Sequence, residues 1–395
     1  MRFRVPFYYN DFHCITDKCN DNCCVGGWEI GIDKETYDKY MNLEGELGEA
    51  IRNSITKNED GDYCFKLNNG QCPHLLDSGL CRVHSELGED HLGVVCSQFP
   101  RYTEYFGNIK ETGIGLACEE AARIILSATD DFSLVTSEIE EEPVEDSEYD
   151  ETYANAIFNA RDKIMHILDM KELSIHERLA IILELSDRMQ QFINDDDYEG
   201  LEESIKCFDK GDIESLLLSI NTIYEDGGYD SLTQTEGIRN IIYAYEDMEV
   251  LNDEWEKDIQ DVVFKFHESL SEDEYFIYDT SFFSHLKGRM DEYKNLLEYF
   301  VFRYFAKAIY DHDVLSKAKM LVTHFFIIKE MDMAKWIDKG RNFTFQDQLD
   351  VIHVFSRQVE YSEDNMEILY DAYIFDEIFT KENLMGLLWI DRISL

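Results

Sequence analysis

The chain has 395 residues, enough for two or three domains, and its 44% hydrophobic residues, with 25 Phe and 23 Tyr, exclude an intrinsically disordered polymer. A formal net charge of −47 excludes duplex nucleic acid as a partner, because contact with phosphates needs a basic face; it suits a cationic partner such as lysine side chains or a sulfonium. No run of about 18 apolar residues occurs, so no membrane span is expected.

The N-terminal Arg2 and Arg4 precede no apolar stretch of signal-peptide length, which predicts a cytoplasmic protein whose cysteines are thiols or ligands rather than disulfides. Asp33 to Arg52 reads as helix, Asp62 to Leu67 as a strand with Tyr63, Phe65 and Leu67 alternating, and Glu119 to Ser127 as a helix starting just after Cys118. Glu138 to Glu151 carries nine Asp or Glu in fourteen positions and reads as a solvated linker or loop. Beyond it the pattern is helix after helix. Ser174 and Glu177 form a capping-box pair, and Leu179, Ile182, Leu183, Met189, Phe192 and Ile193 follow at helical spacing. Residues 288–310, 314–337, 344–360, 363–376 and 381–392 continue the helical pattern, with no repeat of 30–45 residues to indicate a solenoid. All four prolines lie at or before Pro143, so nothing interrupts these helices. The fold class expected is mainly α: a small mixed Cys-rich domain over 1–128, an acidic linker over 129–151 and a multi-helix domain over 152–395.

Nine of the ten cysteines lie at or before Cys118. They come from four places: Cys14, Cys19, Cys23 and Cys24; Cys72 and Cys81; Cys96; and Cys118. A thiolate is a soft charged donor, and three or four of them converging on Zn²⁺ or an iron–sulfur cluster bind tightly enough to order the loops that carry them. Close spacings let one loop give several ligands, while distant pairs close the cage. Cys64 in the expected strand reads as a small buried hydrophobe, which leaves eight candidate ligands for one site or two. His74, His84 and His91 lie among them as further zinc-ligand candidates, each read first as a packed or surface histidine.

The order Phe12-His13-Cys14, Cys19, Cys23-Cys24, Gly27-Trp28, Ile32-Asp33 resembles the opening of the flagellin lysine-N-methylases. The resemblance continues through Cys72-Pro73-His74-Leu75, Gly79-Leu80-Cys81, Gly88-Glu89, Cys96 with Phe99-Pro100-Arg101, and Cys118 with Glu120-Ala121-Ala122-Arg123. Glu119 stands where that family often has proline. In the helical part, Tyr293 to Leu297, Phe302-Arg303, Phe355-Ser356-Arg357 and Glu360 are similar to family segments. The resemblance implies methylation of lysine ε-amino groups on flagellin, S-adenosylmethionine as donor, and a [4Fe–4S] cluster on the cysteines. Arg101, Arg303 and Arg357 are then candidates for holding a carboxylate of donor or substrate. No catalytic residue is assigned. Gly113-Ile114-Gly115 is too short to mark a nucleotide-binding loop and reads as an ordinary turn or strand. Two other classes stay open at this level: an iron–sulfur electron-transfer protein, and a metal-stapled helical module that binds a basic partner.

Overall fold

A computed structural model describes residues 1–19, 22–144, 149–227, 234–251 and 253–391. The chain divides into two units. The smaller comprises Tyr8–Thr103 and Thr112–Ile124; the larger comprises Met1–Phe7, Glu104–Glu111 and Ile125–Leu395.

Strand β1 (Arg2–Pro6) belongs to the larger unit. The smaller unit follows with α1 (Lys34–Met41), α2 (Gly45–Ser54), the antiparallel pair β2 (Ile55–Lys57) and β3 (Tyr63–Phe65), and two short helices, α3 (Arg82–Leu87) and α4 (Val94–Gln98). The unit boundary falls inside β4 (Arg101–Phe106) and β5 (Ile109–Ile114), and again inside α5 (Glu119–Leu126). The core of the smaller unit is Ile30, Ile32, Tyr40, Leu47, Ile51, Phe65 and Val83, with Cys72 buried among them. The helix expected over Asp33 to Arg52 is two helices. Asp33 caps the first, its carboxylate accepting from Thr36 N at 2.9 Å and Thr36 Oγ1 at 2.6 Å. Gly45, at φ +88°, opens the second from a backbone angle that L side chains rarely adopt.

The larger unit holds β1 beside β6 (Leu134–Glu138), in a four-stranded sheet of order β4-β5-β1-β6. β1 runs parallel to β5, Arg2 opposite Ile109, and antiparallel to β6, Arg2 opposite Glu138. Part of the expected acidic linker is therefore a strand. Pairing with β1 satisfies its backbone, and Lys110 Nζ holds Glu141 at 2.8 Å. Residues 145–148 of that linker lie outside the described residues.

The helices that follow are α6 (Glu151–Leu168), α7 (Ile175–Asn194), α8 (Tyr198–Cys207), α9 (Lys210–Glu225), α10 (Gln234–Glu246), α11 (Asp253–Val262), α12 (Glu272–His285), α13 (Met290–Tyr304), α14 (Ala308–Asp311), α15 (Val314–Asp338), α16 (Phe345–Val359), α17 (Glu363–Phe375) and α18 (Lys381–Asp391). The protein is thus mainly α. A π-helical segment, Val263–Glu268, extends α11. The acidic composition is partly spent on capping: Asp150, Asp197, Asp209 and Asp313 each cap a helix N-terminus, where a carboxylate satisfies an orphan N–H and suits the helix dipole. The Ser174–Glu177 box is present at α7, with Glu177 N to Ser174 Oγ at 3.2 Å and Ser174 N to Glu177 Oε2 at 2.9 Å.

Helix α15 is the axis of this unit. It is buried along nearly all of its 25 residues and packs against α7, α13 and α16. Its apolar residues point to every side, and its buried Lys329, Glu330 and Asp332 need partners, so other helices surround it. Among the described residues no helix is long and apolar enough to cross a membrane.

Candidate metal centre

The smaller unit brings four cysteines from three chain segments to one place. Asn22 caps the short turn Cys23–Val25, its Oδ1 accepting from Cys24 N at 3.0 Å. Cys72 N donates to Cys24 O at 2.8 Å, which fixes the second segment on the first. The eight residues between Cys72 and Cys81 fold back on themselves, with Leu76 N to Leu80 O at 2.9 Å and Arg82 N to His74 O at 2.8 Å; Gly79 supplies the turn at φ +80°. Cys81 lies at the start of α3, where free backbone N–H groups point outward.

Cys24 is pushed up by its thiol neighbours, Cys23 first and then Cys72 and Cys81. The bond from Cys24 and the α3 N–H groups of Val83 and His84 pull Cys81 down to about 6, and Cys72 is lowered chiefly by its bond with Cys24. Cys96 feels the charges of Cys23, Cys72 and Cys81, and burial pushes it up to about 12. Burial raises Cys118 to about 11, with Cys14 and Cys23 as charged neighbours. Cys19 Sγ donates to Glu119 Oε2 at 3.5 Å, and Cys14 is exposed. Negative charge on two members of such a set forbids it on the others, and a soft cation relieves that repulsion. Among the described residues, however, no group of three or more His, Cys, Asp or Glu has the arrangement of a metal-holding site. The thiols bond to one another, and a cation would have to displace their protons.

Cys64 lies buried on β3, and Cys207 is exposed at the end of α8. No disulfide is present among the described residues. His74 is a core residue. Its Nε2 shares a 2.9 Å hydrogen bond with Ser54 Oγ, its ring meets Phe65 edge-on, and burial lowers it to about 4. His84 is exposed and His91 half-buried.

Arg101, in the smaller unit, lies over the rings of Phe12 and Tyr9 at 5.3 and 5.9 Å. Arg303 of the larger unit is held by Glu360 at 3.0 Å and ringed by Tyr299, Tyr304 and Tyr361. Arg357 is half-buried on α16. Gly113 is explained by packing, since a Cβ there would collide with the Tyr102 ring.

Sequence reasoning missed the buried polar groups of the larger unit. Lys329 Nζ donates to Asp279 Oδ1 at 2.8 Å and to Tyr275 Oη at 3.2 Å, and Tyr275 Oη donates to Glu330 Oε1 at 2.5 Å. Lys329, Asp279 and Glu330 are fully buried. Tyr245 Oη lies 2.6 Å from His324 Nδ1 and 3.1 Å from both Thr323 Oγ1 and Tyr373 Oη. The available signal was Lys329, Glu330 and Asp332 inside the most apolar helical stretch, because ionisable groups there must find partners.

The sequence model of a family described as the FliB lysine N-methylase C-terminal domain matches residues 161–387. The chain is 33% identical over 135 residues to the flagellar biosynthetic protein FliU of Salmonella muenchen, covering 33% of this chain and 79% of that protein. It is 34% identical over 141 residues to a lysine-N-methylase of Salmonella choleraesuis and 33% identical over 135 residues to one of Salmonella typhimurium. In each of these pairs the match covers 33% of this chain and 33% of the relative, so the chain matches only a third of the length of either lysine-N-methylase. No solved structure matches.

Proposed function

The chain belongs to the FliB lysine N-methylase family, a family of protein-lysine N-methyltransferases, and on that premise we propose that it moves the methyl group of S-adenosylmethionine to lysine ε-amino groups of flagellin in the cytoplasm. The observation that carries this reading is the family match over residues 161–387, which is most of the helical part. The flagellar name of the FliU relative supports flagellin as the target. The charge of −47 favours a lysine-bearing substrate.

The reaction sets clear demands. The lysine ammonium gives up a proton to a base or to water. The freed nitrogen attacks the sulfonium methyl in line from about 3–3.5 Å, the N–C bond forming as the S–C bond breaks and its electron pair stays on sulfur. Each carboxylate near the site lowers the cost of holding two cations together before reaction.

The proposal includes a [4Fe–4S] cluster, with Zn²⁺ as the alternative, because thiolates are the soft donors such a group takes. Cys23, Cys24, Cys72 and Cys81 would hold it, with Cys96 beside them and Cys14, Cys19 and Cys118 as the remaining candidates. When bound, such a group supplies thiolate links that tie distant loops into one body.

The test is mass spectrometry of the cognate flagellin after incubation with the protein and S-adenosylmethionine. Mass increments of whole methyl groups on lysines are expected. No increment, with the full metal content present, would overturn the proposal.

A further inference from the structure

A cleft in the larger unit has the chemistry of an amino-acid binding site. It encloses about 280 Å³, near the lower end of the roughly 300–1,000 Å³ typical of small-molecule sites. One wall is strand β1 with Arg4 and strand β6 with Leu134 and Thr136; the other is helix α6. None of Arg101, Arg303 and Arg357 lines it.

The floor is an ion cluster of two guanidiniums, Arg4 and Arg161, with two carboxylates, Glu111 and Asp162. Arg161 grips Glu111 through two hydrogen bonds of 2.6 and 2.8 Å, and both side chains are almost fully buried. That pair is neutral. Arg4 reaches Glu111 only at 3.5 Å, the outer limit of a hydrogen bond, and its side chain is 19% exposed. Both guanidiniums lie over the ring of Phe158, each carbon 5.1 Å from its centre. A guanidinium has five N–H donors in a planar fork, so Arg4 can still grip a carboxylate through two of them.

The rest of the lining completes the match. Asp162, one turn beyond Phe158 on α6, puts a carboxylate at the same cleft. Asn155 and Asn159 line the same face of α6, and they and Thr136 offer amide and hydroxyl groups without a side-chain partner among the described residues. Phe158 and Leu134 add apolar surface. We infer that this cleft binds an α-amino acid group: Arg4 takes the carboxylate, Asp162 the ammonium, and Phe158 with Leu134 the side chain. A thioether sulfur suits the edge of an aromatic ring. Two sources present this group, the methionine end of the methyl donor and a free amino acid. Assignment to the donor rests on the methyltransferase reading; the cleft chemistry does not.

Calorimetry on the full chain separates these. The probes are S-adenosylhomocysteine, which keeps the amino-acid end, 5′-methylthioadenosine, which lacks it, and free methionine. The expected result is that Arg4→Gln and Asp162→Asn each weaken S-adenosylhomocysteine roughly 10- to 100-fold and leave 5′-methylthioadenosine unchanged. Asp162 is exposed, so Asp162→Asn keeps the fold and carries the test should Arg4→Gln unfold. If methionine binds and is equally sensitive to both variants while S-adenosylhomocysteine does not bind, the cleft stands, its ligand is a free amino acid, and the donor reading fails. If S-adenosylhomocysteine binds with neither variant affecting it, the methyltransferase reading survives and the cleft assignment is overturned. If no probe bearing an amino-acid group binds at all, the assignment is likewise overturned.

Discussion

Lowering the pH should destabilise the larger unit through histidines that it buries neutral. His324 is fully buried, its ring edge-on to Phe300 and Phe355 at 4.9 Å, and burial lowers it from the usual 6.5 to about 3. His267, in the π-helical segment, is lowered to about 4, chiefly by burial and then by Arg239 and Lys329. In the unfolded chain each imidazole binds a proton near pH 6.5; in the folded chain neither does until much lower pH. Stability from these groups is therefore fully present above pH 6.5 and is lost as the pH falls toward the folded values, at about 1.4 kcal/mol per unit for each. From pH 7 to pH 5 the loss is about 2 kcal/mol per histidine, or about 4 kcal/mol for both, a large part of the roughly 5–15 kcal/mol typical of a folded domain. Glu298, raised to about 8 mainly by burial, acts with the opposite sign, since the folded chain keeps its proton above pH 4.5. A variant comparison removes such background. His324→Phe keeps an aromatic ring in the Phe300–Phe355 cage and leaves Tyr245 bonded to Thr323 and Tyr373, at a cost of about 1 kcal/mol at pH 7. Urea unfolding read by tryptophan fluorescence suits the measurement, because Trp255, Trp336 and Trp389 are buried in this unit. Wild type should lose about 2 kcal/mol more than His324→Phe between pH 7 and pH 5. Equal pH slopes in the two proteins would refute the reasoning.

Replacing Cys72 or Cys81 by Ser should strip iron or zinc from anaerobically purified protein, read by metal analysis; full retention in both would remove these thiols from the centre. Glu111→Gln leaves Arg161 as a buried, poorly paired cation and should cost about 3–5 kcal/mol in urea unfolding, whereas a loss under 1 kcal/mol would mean that water reaches the pair. Ser174→Ala removes the reciprocal cap of α7 and should cost about 1 kcal/mol by the same assay, with no change in metal content.

Much of the local structure was legible because its causes are local. The Ser174–Glu177 box and the apolar spacing that follows it lie within a few turns of α7, and α7 starts where they place it. The strand read from Tyr63 and Phe65 is β3, and the helix expected after Cys118 is α5. The sheet was a different matter. Leu134–Glu138 falls at the start of the expected linker, yet it pairs with β1, whose residues stand more than a hundred positions away. A partner that distant leaves no mark on composition, so the sheet could not be read.

The sequence by itself determined that the protein is mainly helical, that its cysteines cluster in the first 118 residues, and which family it resembles. Those features are set by periodicity, capping and residue spacing, which act over one or two turns. Only the tertiary structure decided that Leu134–Glu138 pairs with β1 and that Arg4 lines a cleft beside α6. Both depend on which distant segments close on one another and on which charges find partners when they do.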